Sequence, residues 1–414
     1  MKKYLNVALK NRISKPNRYD SMRVLQVIPY FAPKRGGDVN VCYNISKYLT
    51  KIGHEITIIT TDFDYKSNYA QELNGIKIIV FKCTYNLGLF LYSPDMEHWL
   101  DLNLRDYDLV HLHNYRSYQN ILAVKYANLY KIPYVLQAHG SLPRIMGKKL
   151  LKQFYDFVWG SNILKSASAV IALNNYEVSQ YRHLGISSNK IKIVPNAINL
   201  NDFNCFNLTG KFKKKYKISD EENIILYLGR LNKIKGCDLL LKAFSELVTE
   251  YDSIRLLFVG PDDGFLDSLK SEVEILGLND QVIFTGALYG QDKLTAYLDS
   301  YVYVLPSIYD TFPMTILESC ACGTPVIITD RCGIADVVEG NVGYVVEFNK
   351  YQLKEALIKI LSNNKIRTQF SKRCRRLVEE EFNEDLCFSK LEKAYEDAIM
   401  TDNRILQCID RVRC

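Results

Sequence analysis

Two carboxylates, Asp310 and Glu318, stand in the stretch SIYDTFPMTILESCACGTPVI with seven residues between them. Pro313 lies in that gap and suits the first turn of a helix, where its missing N–H would have had no partner anyway. The backbone N–H groups of Met314 and Thr315 are then free donors for a phosphate oxygen. Glu318, about one turn further on, is placed to accept both hydroxyls of a ribose, and Asp310, outside the helix, faces a different part of the same ligand. The bland alternative is a turn residue and a helix-surface charge.

Other candidates sit at comparable positions. In LGRLNKIKG, residues 228–236, Arg230 leaves a strand end, Lys235 follows five residues later and Gly236 precedes a helix. Two cations beside a helix N-terminus make a pyrophosphate site; a solvated basic turn is the other reading. In APKRGGDVNV, Gly36 and Gly37 let backbone approach a ligand closely, although the stretch is not G-x-G-x-x-G and so lacks the dinucleotide fingerprint. QAHGS places His139 just past a strand end.

The elements that must hold these residues alternate in type. β-branched runs (RVLQVIPYF, EITIITTD, IKIIVFK, DLVHLH, PYVLQAHG, AVIALN, IKIVPN) are separated by stretches of helical pattern, and the series ends near Pro195. After NAINLNDFN, which reads as a linker, a second series follows: IILYLGR, IRLLFVG, VIFTGA, YVYVLPS, PVIITD and GYVVEF. Such alternation predicts α/β architecture, with parallel sheets covered by helices on both faces. The expected division is an N-terminal extension over 1–21, a first domain over 22–197, a second over 198–385, and a C-terminal helix over 386–414 that crosses back to the first domain. Two such domains would enclose a cleft, with binding loops at the carboxyl ends of both sheets.

Composition narrows the classes. With 48% apolar and 24% charged residues, the 414-residue chain is globular, and its net charge of +7 suits phosphate-bearing ligands or an anionic membrane surface without demanding either. Eleven scattered cysteines and no secretory signal predict reduced thiols in the cytoplasm. Cys320, Cys322 and Cys332 could suggest a metal site, but the i, i+2 pair Cys320 and Cys322 points to different faces of a helix, so none is expected. No apolar run reaches the roughly 18 residues of a membrane span. Within 147–167, GKKLLKQFYDFVWGSNILKSA is either an amphipathic interfacial helix or a surface helix whose apolar face enters the core. KFKKKYK, residues 211–217, reads as a solvated charge run.

Taken in order, GRLNKIKG, VIFTGALYGQDKLTAYLDSYVYVLPS and the stretch from Asp310 to Ile327, supported by RGGDVN, QAHGS, IVPNAIN and GIADVVEGNVGYVV, resemble the family-4 retaining glycosyltransferases of the GT-B fold from Arg23 to about Phe382. The resemblance implies two Rossmann-like domains, the first on the acceptor side and the second holding a nucleotide-sugar donor. It implies that Arg230 and Lys235 bind the leaving diphosphate in place of a metal, so that neither metal nor cofactor is needed. It assigns Glu318 to the ribose, Asp310 and His139 to the sugar or its reacting centre, Gly37 (beside Gly36) to the diphosphate, and Val282 and Ile283 to the base. The family form of the acidic pair is Glu-x7-Glu, so Asp310 is one methylene shorter, and Pro313 stands where many members have glycine. The acceptor would be a glycan or a lipid-linked molecule in surface polysaccharide or glycolipid synthesis. Peripheral contact with the inner face of an anionic membrane is a further expectation; nucleic acid is not an expected partner. A nucleotide-sugar epimerase of the same fold, needing no acceptor, and a non-catalytic sugar-nucleotide-binding subunit are the competing readings.

Overall fold

The computed structural model describes residues 21–32, 37–65, 75–87, 90–144, 147–204 and 206–413. Gly36 and the N-terminal extension up to residue 20 lie outside them. Of the described residues, those up to Ile171 together with those from Leu391 onward form one compact unit, and Ala172–Lys390 form the other.

The first sheet starts with Arg23–Tyr30 (β1), Glu55–Thr61 (β2) and Lys77–Phe81 (β3). A two-residue hairpin follows, Tyr85–Asn86 (β4) with Leu91–Tyr92 (β5), and then Leu109–His113 (β6), Tyr134–Gln137 (β7), Ala169–Ala172 (β8) and Ile191–Ile193 (β9). The strand order is β3-β2-β1-β6-β7-β8-β9, so the order reverses between β1 and β6. Its central strands are largely apolar because both faces are covered: Val24, Leu25, Val27 and Ile28 of β1 have no exposed surface at all.

The second sheet repeats the plan with Asn223–Leu228 (β10), Ile254–Val259 (β11), Val282–Gly286 (β12), Val302–Leu305 (β13), Val326–Thr329 (β14) and Gly343–Val346 (β15). Its order is β12-β11-β10-β13-β14-β15, with every pairing parallel, and here the reversal falls between β10 and β13. Both sheets are doubly wound. In this topology the loops at the carboxyl ends of the two strands flanking the reversal meet a ligand first.

The C-terminal helix runs Glu384–Arg413. Its later part belongs to the first unit, where Glu392 pairs with His54 (Oε1–Nε2, 3.0 Å) and the Tyr395 hydroxyl lies 2.6 Å from Nδ1 of His111. Among the described residues no helix is long and apolar enough to cross a membrane.

The run at 211–217 is not simply solvated. Lys211–Tyr216 is a short helix seated by the buried Phe212, and Lys213 donates to the carbonyls of Asp220 and Glu222 at 2.8 Å each. Cys320, Cys322 and Cys332 are buried free thiols, and burial pushes that of Cys332 up to about 12.

Candidate active site

In the second unit, β10 ends at Leu228, and the Tyr227 hydroxyl donates to the Arg230 carbonyl (2.7 Å) as the chain turns outward. Leu231 then joins the loop after β11: its N–H donates to Pro261 O (2.9 Å), and its carbonyl accepts from Asp263 N–H (3.1 Å). So placed, one carboxylate oxygen of Asp263 accepts from Arg230 Nη1 (2.8 Å) and Asn232 Nδ2 (2.9 Å). Asn232 also caps the turn Lys233–Lys235, its Oδ1 accepting from the Lys235 N–H (3.1 Å).

The next residue fixes the turn against the loop after β13. Gly236 has φ +71°, and a Cβ there would stand 2.0 Å from the Pro306 carbonyl oxygen, so only glycine allows this approach. Beside it, Ile308 N–H donates to Ile234 O at 2.8 Å. This seam brings Lys235 Nζ to Asp310 Oδ2 at 2.5 Å, with both side chains less than one-fifth exposed. Thus Lys235 and Asp310, 75 positions apart, form one pair at the reversal point of the sheet, while Arg230 turns to Asp263 instead.

Glu318 rides on the helix Met314–Ala321. Pro313 is its N-cap with an extended ψ of 111°, one position earlier than the first-turn placement the sequence suggests. The Met314 and Thr315 N–H groups have no hydrogen-bond acceptor among the described residues. Tyr303, buried on β13, donates to the Leu228 carbonyl (3.1 Å) and lies 2.7 Å from Thr315 Oγ1, which ties this helix to the end of β10. Glu318 Oε1 accepts from Lys293 Nζ (2.7 Å) and Oε2 from the Tyr297 hydroxyl (3.0 Å). Burial, and then the Glu318 charge, hold the Tyr297 phenol well above its ordinary range, so it remains a donor. A carboxylate gripped on both oxygens keeps a fixed direction while its remaining lone pairs stay able to accept.

Val282 and Ile283 occupy the body of β12, paired in register with Leu256 and Leu257. That strand's carboxyl end is Gly286, so these two do not join the loop cluster.

In the first unit, His139 follows β7 in the left-handed region, φ +50°. It is held by a row of rings: its Nε2 lies 2.9 Å from Nδ1 of His113, the two imidazoles are stacked, and His113 Nε2 lies 2.6 Å from Gln26 Oε1. Burial lowers the pKa of His139 to about 4 against the opposing pull of Asp38, and drives His113 and His111 well below the ordinary range. These are neutral imidazoles at physiological pH. Gly37 opens the helix Gly37–Lys51, and Asp38 beside it accepts from Asn114 Nδ2 (2.8 Å) and the Tyr30 hydroxyl (3.1 Å).

Asp263, Asn232, Lys293, Tyr297, His113, Gln26 and Asp38 were not singled out from the sequence. Among the described residues no group of three or more His, Cys, Asp or Glu is placed to hold a metal ion.

Comparison with known proteins adds to this geometry. The model described as Glycosyltransferase Family 4 matches residues 35–202, and that described as Glycosyl transferases group 1 matches residues 209–377. The N-acetyl-alpha-D-glucosaminyl L-malate synthase of Bacillus anthracis is 27% identical over 382 residues, spanning 89% of this chain and 96% of that protein. An uncharacterised glycosyltransferase of Methanocaldococcus jannaschii is 25% identical, over 80% of this chain and 86% of its own. Among solved structures, HepE of Anabaena in complex with UDP and glucose superposes with a TM-score of 0.76 at 16% identity, covering 91% of this chain and 99% of that one. The sucrose-phosphate synthase of Thermosynechococcus elongatus gives 0.75 at 19% identity, over 92% and 100%.

Proposed function

The chain belongs to family 4 of the glycosyltransferases, with the GT-B fold, and we propose that it is a retaining, metal-independent hexosyltransferase. It moves a sugar from a nucleotide-sugar donor to a glycan or lipid-linked acceptor in surface glycoconjugate synthesis, working in the cytoplasm and peripherally at the inner face of the membrane. The observation that carries the reading is the seam that sets Lys235 against Asp310, with Arg230 in the same turn. HepE, complexed with UDP and glucose, supports a nucleotide-linked donor.

Each residue has a role in this reading. Arg230 and Lys235 neutralise the diphosphate as charge develops on it, an electrostatic contribution that is strongest in the transition state. Glu318 takes the ribose hydroxyls, and the N–H groups of Met314 and Thr315 take phosphate oxygens. Asp310 takes the sugar. On the first unit, Gly36 and Gly37 are assigned to the diphosphate and His139 to the sugar or its reacting centre, while Val282 and Ile283 are assigned to the base. Among the described residues no carboxylate is assigned as a nucleophile, which favours substitution on the face the nucleotide leaves, the departing phosphate oxygen taking the acceptor's proton.

The test is a thermal-shift screen of UDP-, GDP- and ADP-sugars, followed by transfer assays with the stabilising donor in excess EDTA. Stabilisation by one donor class and turnover that survives chelation are expected. Turnover abolished by EDTA and restored by magnesium would refute the metal-independent part. Conversion of the donor's sugar without any acceptor would favour epimerisation.

A further inference from the structure

The helical segment of the first unit that follows β7 has two apolar faces. Lys149–Tyr155 continues through a wide turn, Asp156–Gly160, into Ser161–Ser166. One face is fully engaged. Tyr155, Ile163 and Leu164 are buried, Asp156 is clamped by Arg116 (2.8 Å to each oxygen) and by Arg144 (2.8 Å), and a Cβ on Gly160 would stand 2.4 Å from the Tyr115 hydroxyl. The segment is therefore seated, and it does not turn its outer face inward.

That outer face carries Leu150, Leu151, Phe154, Phe157 and Val158, all exposed, Leu150 to 80% and Phe157 to 88%. Their spacing of one, four, seven and eight residues from the first is that of a single helix stripe. Trp159 supports it from beneath, packed edge-on against Phe90 (5.8 Å) and Phe154 (5.9 Å). A contiguous apolar stripe on a soluble face marks a contact surface. The charges along the segment itself are nearly all of one sign. Residues 141–167 hold Arg144, Lys148, Lys149, Lys152 and Lys165 against a single acid, Asp156, which is already clamped.

We infer that this stripe and its lysines form a docking surface for an anionic lipid bilayer, with the apolar side chains entering the acyl boundary and the lysines resting among the headgroups. A second copy of this chain fits poorly, because two-fold pairing of the stripe sets lysines against lysines. An anionic interface satisfies the apolar row and the cations together. This deepens the peripheral location proposed above and rests on that reading, but not on the transfer reaction.

The experiment is co-sedimentation of the full chain with vesicles of phosphatidylcholine alone and of phosphatidylcholine with one-third phosphatidylglycerol, which hold neither donor nor acceptor. Thermal shift with the donor is measured in parallel, so that loss of lipid binding and loss of donor binding are read separately. Wild type partitions at least tenfold more strongly onto the anionic vesicles, and 0.5 M salt reduces the difference. Phe154→Ser with Phe157→Ser loses at least tenfold in partitioning while its melting temperature and donor shift stay unchanged. Lys148→Gln, Lys149→Gln and Lys152→Gln together abolish the preference for anionic lipid. Equal partitioning of all forms overturns the inference. So does a wild-type dimer in light scattering that the phenylalanine double variant converts to monomer, since the stripe is then a self-contact.

Discussion

Replacing Asp310 by asparagine tests whether Lys235 is held in reserve for a diphosphate. The Lys235 ammonium is paired with Asp310, at 2.5 Å and only 19% exposed, so solvent screens the pair less than a surface ion pair. A diphosphate must share or take that ammonium. Asparagine keeps the shape and an accepting oxygen but not the charge. A hydrogen bond to a charged group contributes about 1.5–3 kcal/mol and a neutral one about 0.5–1.5, so the competition weakens by about 1 kcal/mol. Nucleoside diphosphate binding should therefore tighten about three- to tenfold, and removing a carboxylate from beside the diphosphate acts in the same direction. Turnover with the sugar-bearing donor should fall at the same time, because the proposed sugar contact is lost. Calorimetry with the nucleoside diphosphate and initial rates with the donor measure both effects. The same substitution in a Lys235→Met background completes a double-mutant cycle. There the tightening should vanish, since the cation being released is gone. If Asp310→Asn weakens nucleotide binding, or tightens it equally without Lys235, the reserve role is wrong.

Glu318→Gln should erase discrimination between a nucleoside diphosphate and its 2′-deoxy analogue, which wild type should bind roughly tenfold more weakly; discrimination that survives the substitution removes Glu318 from the ribose. Gly236→Ala should lower the urea midpoint sharply, because a Cβ would meet the Pro306 oxygen at 2.0 Å and φ is +71°; wild-type melting would mean that the seam yields. Acidification should destabilise the first unit through His111, His113 and His139, whose pKa values burial lowers. The unfolded chain binds protons that the folded chain refuses, so this stability is full above the ordinary histidine pKa of about 6.5 and is lost as pH falls through it toward the lowered folded values. Urea midpoints from pH 7.5 to 5 should fall, His111→Phe should make the slope shallower by up to about 1.4 kcal/mol per pH unit, and a flat profile would contradict the burial argument.

How much of this was legible beforehand follows from the range over which each feature is encoded. Strands of a sheet covered on both faces are continuous apolar runs, so β1, β2 and the six strands of the second sheet could be found locally. The loops that carry Arg230, Lys235 and Asp310, and the helix start that leads to Glu318, could be placed because they follow those runs. Their partners could not. Arg230 meets Asp263 across 33 positions, Glu318 meets Lys293 across 25, and His113 meets Gln26 across 87, and no local spacing records such a meeting. Val282 and Ile283 lie in a run that the sequence marks, and which of its residues reaches the carboxyl end depends on where pairing stops, here at Gly286. The segment at 147–167 shows the deepest limit. Its pattern is apolar on more than one side, and periodicity alone left open whether the apolar face enters the core. The answer comes from Arg116 and Tyr115, far upstream, which clamp Asp156 and leave no room beyond Gly160. Those contacts choose Tyr155, Ile163 and Leu164 as the inner face, and Leu150 and Phe157 are outside as a consequence. The exposed stripe is thus a product of tertiary structure, which is why it identifies a contact surface more sharply than the sequence pattern did.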